Sequence, residues 1–162
     1  MNNVFWSNIF RKPGDELDRI TKLWQQTPLF QGIPDRHTRF LCGKMHVREF
    51  GDNEAIFSRG DQAAGAILVL QGQVRISTDM VELASLESGD FFGEIALAAP
   101  ETRIADATAI TASRLVYFLK QDLEEWIESE PRLGAHFLMN LASTLARRLL
   151  EANRQIAAQP QA

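Results

Sequence analysis

The middle of the chain, from His46 to about Leu119, alternates short apolar runs with turn residues. Glycine, often followed by aspartate, separates the runs, and glycine accepts the positive backbone φ angles that tight turns need. Many short strands at this spacing are typical of a β-sandwich or jelly-roll barrel and not of alternating βαβ units. The apolar runs are 56–57, 66–70, 74–76, 81–83 and 114–118.

Helical patterns precede this region, from residue 15 to about residue 45. The first predicted helix has its apolar residues at three- and four-residue spacing and is ended by Pro28. Pro34 opens a second helix, in which Phe40 and Leu41 are expected to point inward. The apolar residues of the first helix are Leu17, Ile20, Leu23 and Trp24.

Helical patterns also follow the central region. A short amphipathic piece at 121–127 ends at Pro131, and a long helix is predicted from about 132 to 157. Its apolar residues fall close to a heptad seam, which predicts a homodimer through this helix. The alternative is that the whole stripe packs inside one chain. The stripe residues are Leu138, Leu141, Leu145, Leu149, Ala152 and Ile156, with Leu133, Phe137 and Leu150 beside them.

The length of 162 residues is typical of one domain. We expect a mainly β domain with flanking helices, a jelly-roll barrel preceded by N-terminal helices and followed by a long C-terminal helix. The predicted boundaries are an N-terminal helical segment at 1–27, the domain at 28–157 and a tail at 158–162. Within the domain, the barrel takes about 46–119 and the C-terminal helices take 120–157.

Composition excludes several kinds of protein. No apolar run approaches the roughly 20 residues that cross a bilayer. Cys42 is the single cysteine and cannot form an internal disulfide, and the three histidines are far apart, which argues against a metal site. The expected location is the cytoplasm, and no cofactor is predicted.

The charge balance argues against DNA binding. The chain has 17 Lys and Arg against 21 Asp and Glu, a net charge of −4, whereas the DNA backbone selects clustered positive charge. Arg147, Arg148 and Arg154 lie close together near the C-terminus, and we interpret them as a solvated helix face.

The most distinctive segment is 89–97, followed by Arg103. Gly93 allows close approach of the backbone to a ligand, and Glu94 can accept hydrogen bonds from hydroxyl groups. The planar fork of Arg103 matches two phosphate oxygens. These residues predict a sugar-phosphate pocket with no nucleophile or catalytic base. A surface turn with a Glu–Arg salt bridge is the alternative.

The run Phe-Gly-Glu-Ile-Ala-Leu at 92–97, with Arg103, resembles the phosphate-binding segment of the cyclic nucleotide-binding domains. These domains include the bacterial catabolite activator proteins and the regulatory subunits of cAMP-dependent kinase. Upstream, 50–61 and 67–76 are similar to the family's hairpin and strand motifs, and 146–149 resembles its long helix. The resemblance covers about 130 residues, from Pro28 to Ala157.

The resemblance implies a role for each matching residue. Glu94 would accept the ribose 2′-hydroxyl, Gly93 would line the ribose, and Arg103 would pair with the cyclic phosphate. Ile95, Ala96 and Ala105 would donate backbone N–H groups to the phosphate. The side chains of Ile67, Val69 and Leu83 would form apolar walls for the base. Ala152 and Asn153 would lie near the edge of the base.

Two departures from the family pattern bear on the ligand. Ile104 follows Arg103, at the position where family members selective for cGMP have Ser or Thr. Isoleucine has no hydroxyl to reach a guanine, so the resemblance favours cAMP over cGMP. Ala152 stands where the activator proteins have a threonine, and the amide of Asn153 is able to replace its hydrogen bonds.

The predicted function is a regulatory module that binds a cyclic nucleotide and is not an enzyme. Rearrangement of its helices would pass the signal to an effector protein of unknown identity. Too few residues follow the long helix to form a helix-turn-helix, so no DNA-binding domain is expected. The alternative is a scaffold that keeps the barrel for protein interaction or dimerisation without a nucleotide.

Overall fold

The computed structural model describes residues 13–79, 81–99 and 102–158. Residues 1–12 of the predicted N-terminal segment and 159–162 of the predicted tail lie outside this range. The described helices are α1 (Pro13–Gln25), a 3₁₀ turn (Pro28–Phe30), α2 (Asp35–Cys42), α3 (Ile95–Ala98), α4 (Lys120–Ser129) and α5 (Pro131–Ala158). The described strands are β1 (His46–Phe50), β2 (Ala55–Phe57), β3 (Gly65–Gln71), β4 (Gln73–Thr78), β5 (Val81–Glu87), β6 (Phe91–Phe92), β7 (Asp106–Ala109) and β8 (Ser113–Leu119).

These strands form two four-stranded antiparallel sheets, in the orders β1–β8–β3–β6 and β2–β7–β4–β5. The predicted fold class, mainly β with flanking helices and a long C-terminal helix, is confirmed, although the two sheets do not close into one continuous barrel. The apolar runs became β2, β3, β4, β5 and β8. The predicted apolar runs did not include β1, β6 or β7, of which β6 has two residues and β7 has no large apolar side chain.

Strand β3 lies between the two apolar cores of the domain. Its residues from Gly65 to Leu70 are all buried, and side chains alternate between the faces of a strand. Leu68 belongs to the cluster that the helices cover, which we call the helical core. Ile67 and Val69 belong to the cluster between the two sheets, which we call the roll interior.

The helical core combines six aromatic side chains with aliphatic ones from the helices and from sheet β1–β8–β3–β6. The predicted inner face of α1 is confirmed, because Ile20 and Trp24 are buried and the other two apolar residues of that face are half-buried. The prediction for Phe40 is wrong: its side chain is 57% exposed, beneath the ammonium group of Lys44. The buried residues of α2 form a stripe at three- and four-residue spacing from which Phe40 is displaced. They are Thr38, Leu41 and Cys42.

Helix α5 has a packed half and an exposed half. Phe137 and Leu141 are buried in the helical core. Gly134 permits a close crossing with α4, since a Cβ at this position would lie 2.8 Å from Cγ1 of Ile127. Every residue from 146 to 158 is exposed. Within the described ranges, no helix combines the length and apolar character that a bilayer span requires.

Candidate functional site

A tight turn connects β6 to the short helix α3 and forms one side of the candidate site. Gly93 has a φ of 71°, which glycine adopts without the steric cost that a Cβ brings. A Cβ built on Gly93 would overlap Nη1 of Arg103. The absence of a side chain at Gly93 therefore lets the Arg103 guanidinium pack against the turn, a contact that the sequence analysis did not anticipate.

Arg103 is a buried cation, only 9% exposed. Its Nη2 donates a hydrogen bond to the carbonyl oxygen of Gly65 at 3.2 Å, and its guanidinium carbon lies 4.4 Å from the centroid of the Phe57 ring. Among the described residues, no carboxylate lies within salt-bridge distance of it.

The environment of Arg103 favours an anion. Burial lowers the pKa of its guanidinium, and interactions with Tyr117 and Asp61 act in the opposite direction. A buried charge with no opposite charge is costly, and the fork of arginine donors suits the oxygens of a phosphate or carboxylate.

Glu94 is also buried, and a residue of α5 pairs with it. The carboxylate is 3% exposed, and its Oε2 lies 2.6 Å from Nη1 of Arg148. Arg148 also donates from Nη2 to the carbonyl oxygen of Phe91 at 3.1 Å, with its guanidinium carbon 4.8 Å from the centroid of the Phe91 ring. Arg148 thus joins α5 to both sides of the turn at Gly93.

Sequence reasoning missed this role of Arg148, which we interpreted as part of a solvated helix face. Its neighbours Arg147 and Leu149 are exposed, so the helical pattern around it is that of a surface. The sequence offered only an indirect indication that Arg148 belongs to the site: it lies in the run 146–149, which resembles the family's long helix. Its pairing with Glu94 depends on how α5 packs.

The structure places the other predicted site residues in three environments. Ile67 and Val69 are fully buried in the roll interior. Ala96 and Ala105 are buried near the turn, and the N–H of Ala96 donates to the carbonyl oxygen of Gly93 at 3.2 Å, so this donor already has a partner. The exposed ones are Leu83, Ile95, Ile104, Ala152 and Asn153.

Among the residues that the structure describes, the candidate site is neither a metal-binding site nor part of the groove between the helices. In the described part of the chain, no group of three potential metal ligands comes together. A groove of about 340 Å³ lies elsewhere, between α3, α4 and α5. Neither Glu94 nor Arg103 lines it. Its walls include Leu97, Leu123, Leu138, Leu141 and Leu145.

The fold agrees with comparisons to known proteins. The model of the cyclic nucleotide-binding domain family matches residues 47–130, which is about half of the chain, and the chain belongs to this family. The family is a regulatory one. Residues 92–97 and Arg103, which resemble its phosphate-binding segment, lie inside the matched range.

The chain is similar to the cyclic AMP receptor protein of Thermus thermophilus, with 32% identity over 135 residues, covering 80% of this chain and 61% of the relative. It is 31% identical over 150 residues to Glutaminase 1 of Bradyrhizobium diazoefficiens, covering 91% of this chain and 24% of the relative. The chain thus spans only part of these relatives. A cyclic nucleotide-binding domain from Methylobacillus flagellatus has the same fold, with a TM-score of 0.78 at 20% identity, covering 91% and 86% of the two chains.

Proposed function

We propose that this chain is a regulatory module that binds a cyclic nucleotide, with cAMP favoured over cGMP. The observation that carries the proposal is the buried Arg103 guanidinium, which has no carboxylate partner among the described residues and packs against the turn at Gly93. An anion there would neutralise this charge, which no described carboxylate compensates.

Each group of the site has a task in this proposal. The phosphate accepts hydrogen bonds from Arg103. The low local dielectric strengthens the electrostatic attraction between the two groups. Glu94 accepts a hydrogen bond from the ribose 2′-hydroxyl, and Arg148 pairs with the carboxylate in its buried position. Ile104 carries no hydroxyl for a guanine, which supports cAMP, and the related Thermus protein is named for cyclic AMP.

The Glu94–Arg148 pair is the proposed path of the signal. It connects the binding turn directly to α5, with 2.6 Å between the two charged groups. A ribose hydroxyl that donates a hydrogen bond to Glu94 competes with Arg148 for this carboxylate and weakens the ion pair. The position that α5 prefers therefore changes. A ligand shifts such an equilibrium only through its different affinities for the two states. The exposed half of α5 would then present a changed surface to an effector protein.

We also propose that the chain forms a homodimer through α5 and has no enzyme activity of its own. The exposed apolar residues Leu149 and Ile156 continue the predicted heptad seam beyond the packed half of the helix. Cytoplasmic location fits a lone buried thiol at Cys42, which has no cysteine partner.

Calorimetric titration with cAMP and cGMP tests the binding proposal. We expect binding by the wild type and a loss of about 30-fold to several-thousand-fold in Arg103→Ala, because a charged partner is removed from a desolvated site. Arg132→Ala is the matched control, since Arg132 is exposed at the start of α5, and it should bind as the wild type does. Equal affinity in Arg103→Ala would contradict the assigned role, and a wild type that binds neither nucleotide would contradict the function.

A scaffold without nucleotide is the second candidate. Two observations favour it. Glu94 already forms an ion pair with Arg148, and α5 has exposed apolar residues that suit a protein partner. A dimeric wild type that shows no heat of binding with either nucleotide would support it.

A further inference from the structure

Tyr117 is the single tyrosine of the chain, and its side chain packs in the roll interior. On β8 it is paired in register with Ile67 of β3, and Ile67 is paired on its other side with Phe92 of β6. Phe92 immediately precedes Gly93. Tyr117 therefore lies in the same cross-strand row as the start of the candidate site, with Ile67 between them.

The hydroxyl of Tyr117 is buried, and in the part of the chain that the structure describes no group accepts its proton. Leaving such a group without a partner costs about 1–3 kcal/mol. Native structures contain few such groups, so each one calls for an explanation.

Two cations, Arg48 and Arg103, act on this hydroxyl. The guanidinium carbon of Arg48 lies 5.5 Å from the centroid of the Tyr117 ring. Burial raises the pKa of Tyr117, and the positive charges of Arg48 and Arg103, together with donation from the Arg48 guanidinium to the hydroxyl oxygen, partly oppose this rise. A guanidinium has donors and no acceptor, so neither side chain can accept the hydroxyl proton.

We propose that the Tyr117 hydroxyl donates a hydrogen bond to an oxygen of the phosphate that Arg103 holds, and is thus a further ligand-binding residue. The inference rests on the proposed function. The missing partner of Tyr117 is an acceptor beside a cation, and a phosphate oxygen supplies one. The ligand would then satisfy two groups that the protein leaves incomplete, the charge of Arg103 and the proton of Tyr117.

The variant Tyr117→Phe removes the hydroxyl and keeps the ring. In the ligand-free protein we expect the midpoint of urea unfolding to stay or to rise, because an unpartnered polar group is lost. In calorimetry with cAMP we expect affinity to fall about five- to tenfold, the effect of one ordinary hydrogen bond. A purely structural tyrosine would not separate these two measurements.

Phosphorothioate analogues of cAMP identify the ligand atom, because sulfur is a poorer acceptor than oxygen. In the wild type, the diastereomer with sulfur facing Tyr117 should lose more affinity than the other. That difference should shrink in Tyr117→Phe. A difference that stays equal in both proteins would overturn the assignment to the phosphate.

A ¹³Cζ-tyrosine label gives one signal, from Tyr117 alone, and at pH 7 it should shift when cAMP binds. If the wild type binds cAMP, equal affinity in Tyr117→Phe together with an unmoved signal would overturn this inference and leave the proposed function standing. A wild type that does not bind cAMP would overturn both.

Discussion

Arg103 and Glu94 are both buried charged side chains, and the protein compensates them differently. Glu94 has a cationic partner from α5, whereas Arg103 has a carbonyl oxygen and an aromatic face. Burying a charge without an opposite charge costs stability. A buried cation that packs against the turn at Gly93 contributes something other than stability, and anion binding is the simplest such contribution.

The substitution Gly93→Ala tests the turn at the residue scale. Its Cβ would overlap the Arg103 guanidinium, so the guanidinium must move away from the position in which it would hold a phosphate. We expect cAMP affinity to fall at least about tenfold, or 1.4 kcal/mol, in calorimetric titration.

Gly89→Ala is the matched control for this experiment. Gly89 also has a positive φ, 97°, but a Cβ there would meet Cδ2 of Leu23 at an ordinary 3.8 Å. Both variants should lose about 1–2 kcal/mol of stability from the left-handed backbone. The steric explanation fails if Gly93→Ala binds cAMP as tightly as Gly89→Ala.

At the scale of the element, α5 joins two environments within one helix. Its first half completes the helical core through Phe137 and Leu141, and its second half is exposed. Arg148 stands just beyond the packed half and contacts the turn at Gly93. A change at the binding turn therefore acts on the helix at the point where core packing ends.

The exposed seam of α5 predicts the effect of a charge at Leu149, which is 61% exposed. If two copies pair through this seam, Leu149→Lys should reduce the mass in light scattering from that of a dimer to that of a monomer. The fold should be unaffected, because Leu149 makes no part of either apolar core.

Ser143→Lys is the control, since Ser143 is exposed and lies roughly opposite the seam on the helix. It should leave the mass unchanged. A wild type that is already monomeric at high concentration would refute the dimer.

At the scale of the whole molecule, the two apolar cores share β3, and the candidate site lies where β6 leaves this strand. Ligand binding at the site is thus expected to stabilise the domain as a unit. Cys42 reports on that unit, because it is 3% exposed in the helical core.

Burial raises the pKa of the Cys42 thiol to about 12, so at pH 8 almost none of it is thiolate and labelling by a disulfide reagent requires the protein to open. At cAMP concentrations 100 times the dissociation constant, labelling should slow about 100-fold, because the ligand binds only the closed state. Measured by absorbance of the released thiol, the rate in Arg103→Ala should not respond to cAMP. Equal wild-type rates with and without cAMP would show that opening around Cys42 is independent of the site.

The mainly β fold and the inner face of α1 were predictable from sequence, because they depend on local signals. Gly93, Glu94 and Arg103 were selected by a family resemblance, and their role in ligand binding stays a prediction. Periodicity determines which face of a helix is apolar, and turn residues determine where strands end. The small-residue β7 was missed because it has no strong local signal, and only pairing with β2 and β4 makes it a strand.

Only the tertiary structure decided which charges meet. It brought Arg148 to Glu94. Among the described residues, it left Arg103 with no carboxylate and the hydroxyl of Tyr117 with no acceptor for its proton. It also turned Phe40 outward, because packing selects one stripe of α2 and leaves the rest of the helix to solvent. The physical reason is range: backbone preference acts over a few neighbouring residues, whereas burial and charge pairing act between elements that are distant in sequence.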